Sequence, residues 1–358
     1  MSDICAVGAK IGTLKRSRPL GAGVTVAPLQ AEPLDLDILR EMYRGGAINL
    51  AGVDPRLNAT RIAHRLRIGR ARVATRLKTW RDSGLLNRYD VWLNPALFGW
   101  HGAWVAIRVA HPRHKSELFA RLSLLDGAVA GIEFLGDWIS FGLVSPDEDS
   151  RERTLGLIRG LTGVAGIEPP AVWQHPEPRR ALSPLDARIV RALRERPTAT
   201  LSEIARRVGV STRTMTRRYA QLLDDWTVWF VPLFDFRAIE RPVVNLTMTL
   251  QPGTARETLV RQIRGRYPLL LEFRSSPVGP ILAPEQLIVT VLPPSAAHLE
   301  EVEQFASALI GVDAIESSVM VRTLSFPDWF DRFLDSLAPA SAKGRGKNFA
   351  TTTRARRR

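Results

Sequence analysis

Two stretches of this chain repeat. Pro33, Leu34 and Asp35 return 151 residues later as Pro184, Leu185 and Asp186, and the segment Gly163 to Glu168 returns 148 residues later as Gly311 to Glu316. Offsets that agree this closely mark a duplicated unit of about 150 residues that later acquired small insertions. The duplication predicts a protein built as a pseudo-dimer, each copy opening with a basic helical segment and ending in alternating strands and helices.

With 358 residues, 45% of them hydrophobic, the chain can bury several ordinary cores. No apolar run approaches the roughly 18 residues that a membrane-spanning helix needs. The N-terminus has no compact apolar segment followed by a small-residue cleavage site, which argues against a secretory signal. Cys5 is the single cysteine, so no internal disulfide can form. Together these features predict a cytoplasmic protein without a membrane partner.

The formal net charge of +14 is informative only once it is placed along the chain. The tail from Lys343 to Arg358 carries seven bases and no acid, and residues 1–31 carry four bases against Asp3. Residues 61–82 hold eight bases against Asp82, and residues 202–225 hold five arginines against three acids. What remains of the body is slightly acidic, so positive charge is focused on two equivalent segments, as on a surface that neutralises phosphates.

Periodicity turns those segments into helices. Ile38, Leu39 and Met42 recur at helical spacing after Asp35, as do Ile189, Val190 and Leu193 after Asp186, each Asp being placed to cap a first turn. Ile62, Ala63 and Leu66 match Ile204, Ala205 and Val208, with a break at Arg67, Ile68, Gly69 or at Gly209, Val210, Ser211. A short helix, a tight turn and a further helix form a helix-turn-helix. About nine extra residues, Ala47 to Pro55, separate the first two helices of the first copy.

In the third helix Val73, Leu77 and Trp80 form one buried stripe, matched by Met215, Tyr219 and Leu222. The opposite face carries Arg70, Arg72, Thr75, Arg76 and Thr79 in copy one, and Thr212, Arg213, Thr214, Arg217, Arg218 and Gln221 in copy two. These donors suit phosphate oxygens and base edges, which makes double-stranded DNA the predicted partner. Strand-forming runs follow at Gly84 to Leu93 and Thr227 to Leu233, and read as wings.

The second half of each copy reads strand, helix, strand, strand, helix, strand. In copy one the elements are 103–109, 115–124, 129–134, 138–144, 151–161 and 164–173; in copy two they are 243–250, 255–266, 269–274, 286–292, 298–309 and 312–323. This is the split βαβ order of a ferredoxin-like sandwich, and the uncovered sheet faces of the two copies are predicted to pack together.

The order of these parts resembles the leucine-responsive and asparagine-operon (Lrp/AsnC) regulator family in tandem form. The resemblance rests on Leu34, Asp35, Asp37, Ile38, Leu39 and Leu185, Asp186, Ile189, Val190; on Ser211, Thr212, Thr214, Met215, Arg218; and on Gly84, Leu85, Leu86, Asn94, Pro95, Gly99, Gly136 and Asp137. It implies an α+β fold with two winged helix-turn-helix domains, 32–98 and 182–238, alternating with two ferredoxin-like βαββαβ domains, 99–178 and 239–325. A disordered segment 1–31 precedes them, and a C-terminal segment 326–358 with a disordered basic tail follows. It also implies homo-oligomers and an amino acid or related effector, for which Gly136, Asp137 and Trp138 are the candidate contacts.

The sequence departs from the family at several points. Gly69 stands where the family usually has a capping Ser, Ile139 where an acidic residue often follows the hairpin, and Ser275 to Pro280 form a longer loop in copy two. Siroheme decarboxylases resemble the same architecture, and on that alternative the chemistry would come from His101, Arg108, His111, His114 or His175. Retained basic faces in both copies argue instead for a regulator that is not an enzyme and that uses no cofactor, no metal and no catalytic residues.

Overall fold

A computed structural model describes residues 29–30, 32–42, 59–173, 177–267, 269–273, 285–326 and 328–337. Head one comprises α1 (Pro33–Met42), α2 (Ala59–Leu66) and α3 (Arg70–Asp82); head two comprises α6 (Pro184–Glu195), α7 (Leu201–Val208) and α8 (Thr212–Asp224). Head two is capped throughout. Ser183 and Asp186 form a capping box on α6, Thr200 and Glu203 form another on α7, and Ser211 caps α8. Asp35 and Asp186, expected as N-caps, instead sit at the third helical position, behind a proline whose missing N–H costs nothing in the first turn. Asp35 still reaches back to accept the Glu32 amide at 2.8 Å.

The strands that follow the heads, β1 (Leu86–Leu93) and β7 (Val228–Phe234), were expected as separate wings. They pair with each other, antiparallel, from Arg88 opposite Leu233 to Leu93 opposite Val228, and form one shared two-stranded ribbon. Because Val73 corresponds to Met215, equivalent residues of the heads are 142 apart, and this register is symmetric about a point between Tyr89 and Asp90. The ribbon therefore relates the heads by a local two-fold.

Each head completes its core with residues from the other repeat. Ile38, Ile62, Val73, Leu77 and Trp80 of head one cluster with Phe234, Phe236, Ile239 and Val243. Ile189, Val190, Ile204, Met215 and Leu222 of head two cluster with Val91, Trp92, Leu93, Val129 and Ala130. Burying a large apolar side chain contributes about 1.5–3 kcal/mol, so the exchange binds the two repeats into one folding unit.

The two βαββαβ modules follow the expected order. Module one contains β2 (His101–Val109), α4 (Lys115–Leu122), β3 (Ala128–Phe134), β4 (Trp138–Ser145), α5 (Glu148–Arg159), β5 (Val164–Ile167) and β6 (Ala171–Trp173). Module two contains β8 (Val243–Leu250), α9 (Arg256–Arg266), β9 (Leu269–Phe273), β10 (Gln286–Val291), α10 (Ala296–Ser307) and β11 (Val312–Ser325). The last strand of module one is split at Glu168, Pro169 and Pro170, where proline supplies no ladder donor. Its counterpart β11 runs unbroken for 14 residues, pairing first with β8 and then with β3. The modules thus join edge to edge in one nine-stranded sheet. The sheet residues Val129, Ala130 and Val144 join one core cluster with head two, β1 and residues 329–334, not the other sheet face as expected.

A helix unforeseen in the sequence, α11 (Asp328–Leu337), is the last of the described elements. Trp329, Phe330 and Phe333 pack on Trp92, Phe98 and Trp100. Arg194 of α6 bonds Asp331 at 2.8 Å and the Val91 carbonyl, and Arg191 bonds Asp335 at 2.6 Å. The Ala47 to Pro55 insertion, the 275–280 loop, residues 1–28 and the basic tail lie outside the described residues.

Candidate nucleic-acid interface

The turn before α8 is built for sharpness. Gly209 adopts φ 79°, the left-handed conformation that ends α7, and Ser211 Oγ accepts the Thr214 amide at 3.1 Å. With Met215, Tyr219 and Leu222 buried, α8 presents Thr212, Arg213, Thr216, Arg217 and Gln221 to solvent. Thr214 is half-buried against Ser211, to whose hydroxyl it bonds at 3.0 Å.

Head one makes the same turn with different residues. Arg67, at the position of Gly209, adopts φ 55°, a conformation that costs a side-chain-bearing residue about 1–2 kcal/mol. Gly69 occupies the N-cap of α3 without a capping side chain. The outward face carries Arg70, Arg72, Thr75, Lys78 and Arg81, all exposed, with Lys78 paired to Asp82. Thr79 is half-buried and its hydroxyl bonds the Thr75 carbonyl at 3.0 Å.

Arg76 and Arg218, expected on the reading face, turn inward, and each pairs with a buried Asp of its own head. Arg76 donates to both oxygens of the fully buried Asp35 and to the Gln30 carbonyl, and lies 3.2 Å from Glu32. The hydrogen bond to Asp35 raises the guanidinium pKa. Trp80 Nε1 also donates to Asp35, at 2.7 Å. In head two Arg218 lies 3.5 Å from the equally buried Asp186, which also accepts from Ser183 and Arg180. Burial opposes the charge of Arg180, but its hydrogen bonds to Asp225 and Asp186 outweigh this and raise its pKa. Leu222 replaces Trp80 here, and among the described residues Asp186 Oδ1 has no hydrogen-bond partner.

Gly136, Asp137 and Trp138 form the β3–β4 hairpin. Gly136 is left-handed at φ 82°, the Asp137 carbonyl accepts from Val109 at 2.7 Å, and Arg108 stacks over Trp138 at 5.0 Å. A cleft of about 1060 Å³ lies elsewhere, between α3, β1, α6 and α11. His111 and His114 meet edge to face before α4, 5.4 Å apart, His101 begins β2, and His175 lies outside the described residues. Among the described residues no group of three His, Cys, Asp or Glu side chains is placed to hold a metal, and no helix is long and apolar enough to cross a membrane.

Residues 182–223, which span α6 to α8, match the AsnC-type helix-turn-helix domain. The match falls on the three helices of head two, the segment that the sequence predicts to be a helix-turn-helix. A search of curated proteins gives no match by sequence.

Among solved structures, AsnC of E. coli is 16% identical over 38% of this chain and 89% of its own, with a TM-score of 0.26. The feast or famine regulatory protein of M. tuberculosis, complexed with L-methionine, is 21% identical over 39% of this chain and 91% of its own, with a TM-score of 0.28. The siroheme decarboxylase NirDL is 14% identical over 85% of this chain and 98% of its own, with a TM-score of 0.47. At these identities the likenesses concern fold. The expectation that the chain is not an enzyme does not stand, since the structure aligned over 85% of it is that of an enzyme.

Proposed function

We propose that this protein is a sequence-specific regulator of transcription that binds double-stranded DNA, one chain serving as a pseudo-dimer. The observation that carries the reading is the pair of exposed arginine-bearing faces, Arg70 and Arg72 with Thr75 on α3, and Thr212, Arg213 and Arg217 on α8, on heads tied by one ribbon. The AsnC-type match in head two supports the same partner. Phosphate contacts from these arginines would set position and base contacts would set preference. Because the two faces differ, the favoured site is an imperfect palindrome with half-sites about one helical turn apart.

Control by an amino acid or a related effector, contacts near Gly136, Asp137 and Trp138, and self-association of whole chains belong to the same reading by analogy with the regulators. Incubating the purified chain with pooled genomic fragments tests it. Retention that falls steeply with salt supports the reading; no retention, together with an absorbance change on titrating siroheme, would favour decarboxylase-like chemistry instead.

A further inference from the structure

We propose that the heads divide the work on DNA, head two reading sequence and head one supplying sequence-independent phosphate grip. This rests on the DNA-binding reading above. Base recognition needs donors and acceptors at fixed positions, whereas phosphate attraction tolerates looseness. The entry to α8 is fixed from both sides, by Gly209, whose left-handed conformation ends α7, and by Ser211, whose hydroxyl accepts the Thr214 amide. Thr212, Arg213, Arg217 and Gln221 project from α8, a set with both donors and acceptors.

Head one differs in each respect. Its recognition helix starts at Gly69 without a capping side chain, behind a turn that strains Arg67. Its exposed face is mostly long cations, Arg70, Arg72, Lys78 and Arg81, separated by Ala71 and Ala74. From 59 to 82 the chain has eight basic residues and one acid, against five and two from 201 to 224. Head one therefore has the greater charge and head two the more defined geometry.

Arg to Lys changes separate these roles, since they keep the charge but remove the planar fork that reads guanine. Rounds of selection on the wild-type chain from a random-sequence duplex pool yield a preferred duplex, and affinities for it and for a scrambled duplex are compared. R213K/R217K is expected to reduce the preference at least about ten-fold, each bidentate contact discriminating by that order, while scrambled-duplex affinity stays within about two-fold because phosphate attraction follows charge. R70K/R72K/R81K is expected to leave both affinities within about two-fold, on the same charge ground. Equal loss of preference from the two sets, or loss from the head-one set alone, would overturn the division of labour. Failure of the wild-type chain to bind any duplex would instead overturn the DNA-binding reading itself.

Discussion

Replacing Arg76 by Ala tests whether this side chain is part of the architecture or part of the interface. Asp35 is fully buried, and the Arg76 side chain is only 13% exposed. Removing one partner of a buried pair costs about 3–5 kcal/mol, because the remaining charge has lost both water and counter-ion. Trp80 and the Glu32 amide would still donate to Asp35, which places Arg76→Ala near the lower limit, at about 3 kcal/mol. Arg218 is 28% exposed, lies 3.5 Å from Asp186 and leaves Arg180 and Ser183 in place, so Arg218→Ala should cost about 1 kcal/mol. Arg72 is exposed without a described partner, and Arg72→Ala should stay within about 0.5 kcal/mol. Urea unfolding followed by tryptophan fluorescence would rank the three variants. An Arg76→Ala cost below about 1 kcal/mol, or an equal cost for Arg72→Ala, would refute the clamp, given how far both lie from the buried-pair range.

Three further outcomes follow from the caps and from α11. Gly209→Ala meets no atom within 4 Å but must hold φ 79°, so head two should lose about 1–2 kcal/mol by thermal or urea unfolding. Glu203 is held below the usual carboxylate range, chiefly by the Thr200 amide and then by its hydroxyl. A depressed folded pKa stabilises above the unfolded value, about 4.3 for Glu, and this contribution is lost as pH falls through the folded value; the Tm gap between wild type and Glu203→Gln should therefore narrow from pH 6 to about pH 3. Truncation after residue 327 should lower the urea midpoint and increase binding of a hydrophobic dye, since Trp92, Phe98 and Trp100 lose the aromatic cover of α11; an unchanged midpoint would remove α11 from the core.

The elements were legible where one stretch of sequence determines them. Caps such as Ser211 and Gly209, and stripes such as Met215, Tyr219 and Leu222, act within a few residues, and the helices stand where they imply. Pairing between repeats was not legible, because β1 and β7 can each serve equally well as a wing, and only the folded chain brings Trp92 opposite Trp229. The stripe Trp329, Phe330, Phe333 and Leu334 has helical spacing, yet nothing local indicates that it ends on Phe98 and Trp100. The inward turn of Arg76 did leave a trace. It lies three residues after Val73 and four before Trp80, on the edge of the buried stripe, and Arg218 has the same spacing from Met215 and Leu222. A basic residue on that edge in both copies, with an Asp repeated in both first helices, marks an ion pair rather than a base contact.

The account depends most on two heads of one chain gripping one duplex. Hydroxyl-radical footprinting of the full chain on its preferred duplex measures this directly. Two protected patches on the same face, centred about 10 base pairs apart, are predicted. One patch, or protection that Arg72→Ala and Arg213→Ala leave unchanged, would contradict it.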